Sequence, residues 1–362
     1  MRIELGDLGF DEGGALLIKR ALRLAGPAAS SLLVPRRRSS TPVGRNGGTH
    51  YGSVECGRTL VGRGTHGDWR PAEHSSKADR PSSRSRWPTR SKCGPPMQGG
   101  FTRRAPRAQW DPATAIPWNT NFDLPPEVED AVVQIMTYLI ENETAALIVP
   151  SRLVSQLHPH FREVMQLLAL QAADEARHIE IFTRRALLKR KELGFSTAGG
   201  QALLKTLVEE PDFAVASFLL SVLGEGTFLS LLWFLDRHAA DPVTATVCRL
   251  AAQDEARHVA FGMAHLREHI AHDPGVLPKL ANAVRRRHDV LQNTAGLNTE
   301  VFDALLLIAS GSWEPADLRR GHENVMALLQ EMDELRQKRM VHIGFNAAEA
   351  QELSALHTRN LM

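Results

Sequence analysis

The pentapeptide Asp-Glu-Ala-Arg-His occurs twice in this chain, at 174–178 and at 254–258. Each copy sets a glutamate three residues before a histidine: Glu175 and His178 in the first, Glu255 and His258 in the second. On a helix that spacing puts both side chains on one face. A carboxylate beside an imidazole suits a divalent metal that accepts oxygen and nitrogen ligands. Two such motifs would hold two metals if each faced a further acid on a partner helix.

The text around the motifs is helical. A first helix starts near Leu124-Pro125-Pro126 and runs to about 157, with a kink at Pro150 and a turn at His158-Pro159. A second spans 160–193 and is stopped by Gly194, and a shorter one follows at 198–209. Residues 211–239 are apolar nearly all round, the mark of a buried helix. Asp241-Pro242 opens a fourth long helix to about 272. Further helices follow near 276–292, 299–310, 314–340 and 346–357. The fold class is all-α.

The third long helix contains one acid between Asp212 and Asp236, namely Glu225. Phe218, Ser221, Val222, Phe228, Leu229 and Leu232 surround it on the helix, so its carboxylate calls for a partner cation. The first long helix offers Glu141 and Glu143. Glu127, Asp130, Gln134, Thr137 and Glu141 step by three and four and trace a solvent face, whereas Val132, Ile135, Met136 and Leu139 lead to Glu143. Glu143 is the inward choice and Glu141 the reserve. Glu143 and Glu175 are equidistant from Pro159, and Glu225 and Glu255 from Ala240, so two antiparallel hairpins would bring all four to one height.

Over about 125–272, with Glu143, the DEARH of 174–178, Glu225 and the DEARH of 254–258, the chain resembles the ferritin-like di-iron carboxylate superfamily. The resemblance implies a four-helix bundle with additional C-terminal helices. Its metal ligands would be Glu143, Glu175, His178, Glu225, Glu255 and His258. By similarity, Asp174 would orient His258 and Asp254 would orient His178, with Arg177 and Arg257 supporting the two acids. The implied cofactors are two iron ions, or manganese at one or both sites, with O2 as co-substrate. The implied partners are an external electron donor, a reductase or ferredoxin, and a small organic substrate.

Within that superfamily, Phe182 stands where the ribonucleotide reductase small subunit carries its tyrosine, four residues after the first motif histidine. Ala251 stands where some N-oxygenating relatives carry an extra histidine ligand. The expectation is an oxygenase or oxidase that hydroxylates, N-oxygenates or desaturates a small, largely apolar molecule. A ferroxidase or peroxide-scavenging protein without an organic substrate is the alternative. Ala172, Ala176, Gly224 and Ala252 are small residues that could leave room beside the ligands.

The charge is divided along the chain. Residues 1–110 hold 20 Lys and Arg against 8 Asp and Glu, and the remainder holds 23 against 33. The first segment, rich in Ser, Arg, Pro and Gly after a short amphipathic stretch, buries too little apolar surface to offset ordering entropy and reads as disordered. Its aromatics are sparse and it has no recognition motif, so nucleic-acid binding is not expected. The organisation expected is therefore 1–110 basic and disordered, 111–272 the di-metal bundle, and 273–362 a helical extension that shapes a substrate tunnel or a homodimer contact. Cys56, Cys93 and Cys248 have neither knuckle spacing nor the number for a disulfide framework, which fits a reducing cytoplasm. No run of 18 apolar residues reads as a membrane span.

Overall fold

A computed structural model describes residues 109–157, 161–196, 198–291 and 299–358. The basic segment up to residue 108, with its expected disorder and short amphipathic stretch, lies outside them, as does the His158-Pro159 turn. Among the described residues there are ten helices and no strand. They are α1 (Pro112–Ala115), α2 (Pro126–Val154), α3 (Arg162–Ala186), α4 (Ala198–Val208), α5 (Phe213–His238), α6 (Pro242–His272), α7 (Val276–Leu291), α8 (Thr299–Ser310), α9 (Pro315–Ile343) and α10 (Ala347–Thr358). Helix α5 is continuous but changes pitch, with a π-helical stretch over Phe218–Glu225.

Helices α2 and α3 form one antiparallel hairpin and α5 and α6 the other, and together they make a four-helix bundle. Proline opens α2 and α6, where its missing N–H is no loss. Asp241 caps α6 by accepting the Thr244 amide at 2.8 Å. One buried arginine ties the hairpins together at this end. Arg185 of α3 is fully buried and forks onto both oxygens of Glu129 at 2.6 and 3.0 Å, onto Asp241 at 2.9 Å and onto the Thr244 hydroxyl at 2.6 Å. A planar guanidinium with four fixed bonds sets register between α2, α3 and α6.

Two expectations need correction. Helix α3 ends at Ala186, not near 193. The chain then doubles back along α2, where the Gly194 amide donates to Thr137 Oγ1 at 2.7 Å and the Phe195 amide to Gln134 Oε1 at 2.8 Å. Gly194 is therefore a close-approach glycine: a Cβ there would lie 2.6 Å from Gln134 Oε1. The supposed solvent face of α2 is covered at the same place, and Gln134 and Thr137 are buried. Gln134 and Thr137, with Asp130 paired to Arg190, serve the returning chain.

Helix α8 packs on α2, and α9 lies against α8, α5 and α6. Two helices, Pro126–Val154 and the whole of α5, prove long and apolar enough to cross a membrane by length and composition, contrary to the reading of the bare sequence. Most of each apolar window is buried inside the protein, so these are core helices of the bundle.

Candidate metal centre

The four bundle helices deliver six side chains to one height. Glu143 comes from α2, Glu175 and His178 from α3, Glu225 from α5, and Glu255 and His258 from α6, all of them buried. They form two overlapping groups whose donor atoms lie within 4.8 Å of one another: Glu143, Glu175, His178 and Glu255 in one, Glu175, Glu225, Glu255 and His258 in the other. Glu175 and Glu255 are common to both. Each shared carboxylate has two oxygens, one for either side. Glu141 is only half buried and outside both groups.

Both histidines turn Nδ1 toward the carboxylates. His178 Nδ1 lies 3.2 Å from Glu175, 3.4 Å from Glu255 and 3.5 Å from Glu143, and His258 Nδ1 lies 3.1 Å from Glu175 and 3.4 Å from Glu255. These are ion-pair contacts without hydrogen-bond alignment. Both Nδ1 atoms, both oxygens of Glu175 and of Glu255, Glu143 Oε1 and Glu225 Oε2 are buried without a hydrogen bond. Leaving eight buried donor or acceptor atoms unmatched is expensive unless cations complete them. The donor set, carboxylate oxygen and imidazole nitrogen without sulfur, suits iron or manganese. Residues and geometry fit two metal ions.

Behind the ligands the two motifs brace each other. His178 Nε2 faces Asp254 Oδ2 at 3.2 Å, and His258 Nε2 faces Asp174 Oδ2 at 3.1 Å. Each arginine spans both aspartates: Arg177 donates to Asp174 at 2.5 Å and Asp254 at 2.6 Å, and Arg257 to Asp254 at 2.6 Å and Asp174 at 3.2 Å. The resemblance implied one arginine per acid, whereas the structure shows a closed square. Such contacts fix the imidazole tautomer that leaves Nδ1 free.

The sequence reading missed three residues here. Gln171 donates to Glu225 Oε1 at 2.5 Å. Gln109 donates to Asp174 at 2.8 Å and Trp110 to Asp254 at 3.0 Å, with the Arg177 guanidinium 4.5 Å from the Trp110 ring centre. Gln109 and Trp110 had been placed in the disordered segment. Their composition is indistinct there, and only the folded centre reveals their partners. Gln171 was discoverable, since it stands one helical turn before Glu175. Of the small residues, Ala252 is buried but Ala176 is exposed and leaves no room at the centre.

Charge shapes the site. Burial, and then the neighbouring Glu175, raises the Glu143 pKa well above the usual carboxylate range; burial and Glu255 do the same to Glu225. Burial pushes Glu175 up as well, but the adjacent His258 and His178 outweigh it and hold it well below that range. Burial disfavours the charged imidazoles, yet the surrounding carboxylates win and raise His178 and His258 well above their ordinary value. Without metal the cluster holds protons where cations would otherwise sit.

The bundle and its donor set of four glutamates and two histidines define a buried carboxylate–histidine centre that fits two metal ions. No protein-family model matches the chain, and no curated protein does. Among solved structures, the chain is similar over 63% of its length to a protein with aldehyde deformylating oxidase activity from Synechococcus, covering 96% of that chain at 17% identity and a TM-score of 0.46. It is similar over 72% of its length to an R2-like ligand-binding oxidase, covering 90% of that chain at 15% identity and a TM-score of 0.45. The functional reading rests on the side chains described above.

Proposed function

We propose that the protein is a di-iron oxidase that uses O2 to oxidise a small, largely apolar organic molecule by hydroxylation, N-oxygenation or desaturation, with electrons from an external reductase or ferredoxin. The observation that carries this reading is the pair of overlapping donor groups sharing Glu175 and Glu255, with their metal-facing atoms buried and unbonded. Glu143 and His178 would hold one iron and Glu225 and His258 the other, and the two shared carboxylates would link them.

The bound iron pair supplies redox chemistry with O2 that no side chain can provide. The chain's own residues create the setting. Ile181, Phe182, Val222, Phe228, Ala251 and Ala252 flank the ligands along the helices and are buried, which excludes water and keeps the surroundings apolar. The Phe182 ring sits 6.2 Å from that of His178 and presents no oxidisable hydroxyl, so oxidation is directed to a bound molecule rather than stored on a tyrosine at this position. The Asp174–Arg177–Asp254–Arg257 square holds the imidazoles. Glu143 and Glu225, with raised pKa values, release protons as metal enters. We place the protein in the cytoplasm, with two iron ions, or manganese at one or both positions, as its resident metals.

The test exposes anaerobically iron-loaded, reduced protein to 18O-labelled O2 with a panel of alkanes, arylamines and fatty aldehydes. The expected result is a labelled or dehydrogenated organic product. Iron oxidation with no organic product, together with accumulation of ferric iron beyond two per chain, would replace this reading with a ferroxidase.

A further inference from the structure

The two halves of the centre are built differently. Glu143 stands in an ordinary α-helix. Glu225 closes the π-helical stretch Phe218–Glu225. A π turn takes an extra residue into the helix, which rotates everything after it by roughly 100° relative to an uninterrupted α-helix. The direction of Glu225 therefore depends on that stretch persisting. π-helical stretches are rare, occur mostly as short interruptions of α-helices and are frequent at functional sites, so what supports this one from outside bears on where Glu225 points.

The support comes from α9. Arg339 Nε donates to the Val222 carbonyl, inside the π stretch, at 2.9 Å. Its guanidinium occupies the space above Gly226, the residue next to Glu225. A Cβ at Gly226 would lie 2.7 Å from Arg339 Cζ, so only glycine admits the group without displacement. Arg339 forms no ion pair among the described residues, and its Nη2 is buried without a hydrogen-bond partner. Burial, with Arg336 close by, pulls its pKa down to about 9. A largely buried guanidinium held against backbone rather than a carboxylate is a costly arrangement, out of place in ordinary packing.

We propose that Arg339 is a positioning residue: seated on Gly226 and bonded to the Val222 carbonyl, it locks the π stretch that aims Glu225 at the metal beside His258. This rests on the di-metal reading of the centre. Its consequence is asymmetric. Loss of the lock loosens the Glu225–His258 site and leaves the Glu143–His178 site alone, because Glu143 has no π stretch and no contact with Arg339.

The experiment is an anaerobic Co(II) titration of the full chain, followed by the visible d–d absorption of the bound ion and by calorimetry. The unmodified chain should bind two Co(II). Arg339→Met should weaken one of the two by tenfold or more, with a changed band for that site, and hold the other within twofold. Gly226→Ala, which keeps the charge but displaces the guanidinium, should give the same selective loss. Arg339→Lys should fall between, since lysine retains a donor but not the planar fork. Should Arg339→Met fail to fold, the Gly226→Ala and Arg339→Lys comparison decides. Two unchanged affinities, or equal weakening of both sites, overturns the inference while the di-metal reading stands. An unmodified chain that binds no Co(II) overturns both.

Discussion

His178 and Asp254 meet across the two hairpins, imidazole Nε2 to carboxylate Oδ2 at 3.2 Å, and His258 and Asp174 repeat the contact at 3.1 Å. Each motif thus supplies two ligands to the centre and the brace for the other motif's histidine. The repeat of one pentapeptide in two helices follows from this reciprocity.

Asp254→Ala should leave His178 in place but free to turn. Metal affinity is expected to fall by roughly 10- to 100-fold, with stoichiometry recoverable at high metal concentration. Calorimetric titration reads this. A variant indistinguishable from the unmodified chain would show the brace to be dispensable.

Glu143 and Glu141 should respond differently. Glu143 is buried in the cluster and Glu141 is half exposed beside it. Glu143→Ala should remove one ligand and abolish reactivity with O2. Glu141→Ala should change stability by no more than about 0.5 kcal/mol. Iron content and stopped-flow oxidation rates check both. A silent Glu143→Ala beside a dead Glu141→Ala would mean that α2 is turned differently.

The metal-free protein should lose stability as pH rises above 6.5. His178 and His258 have pKa values raised well above 6.5, and Glu143 and Glu225 well above 4.5, so all four bind protons more tightly folded than unfolded. That stabilisation is complete below the unfolded pKa and is lost as pH climbs through the folded one. The lowered histidines His238, His265 and His269 gain charge only below 6.5 and do not oppose it in this window. Bound metal replaces the protons and should flatten the dependence. Thermal unfolding in chelator and with metal reads the difference; a metal-free midpoint that rises between pH 6.5 and about 8 contradicts the protonated-cluster account.

A chain beginning at Gln109 should bind metal like the full one, whereas a chain beginning at Pro112 loses the side chains that reach Asp174 and Asp254 and should bind it more weakly. Equal affinity for the two would assign Gln109 and Trp110 no part in the brace.

Much of this was legible because helix periodicity and ligand spacing are local. Glu175 and His178 lie one turn apart whatever surrounds them, and the start of α6 follows from Asp241-Pro242. The isolated acid in α5 pointed to Glu225 for the same reason. What escaped depends on distant partners. Nothing near Gln134 and Thr137 announces that residues 194 and 195 return to cover them. The π stretch has no local signature beyond a run of apolar residues, and its brace, Arg339, lies more than a hundred residues away. Trp110 has meaning only once Asp254 is in place.

Metal stoichiometry tests the central claim most directly. Anaerobic loading with Fe(II), followed by elemental analysis of the desalted protein, should give two metal ions per chain, and the Glu225→Ala, His258→Ala double variant should lose most of the second while keeping its helical content. A double variant that retains both ions, or an unmodified chain that retains none, would contradict the di-metal centre.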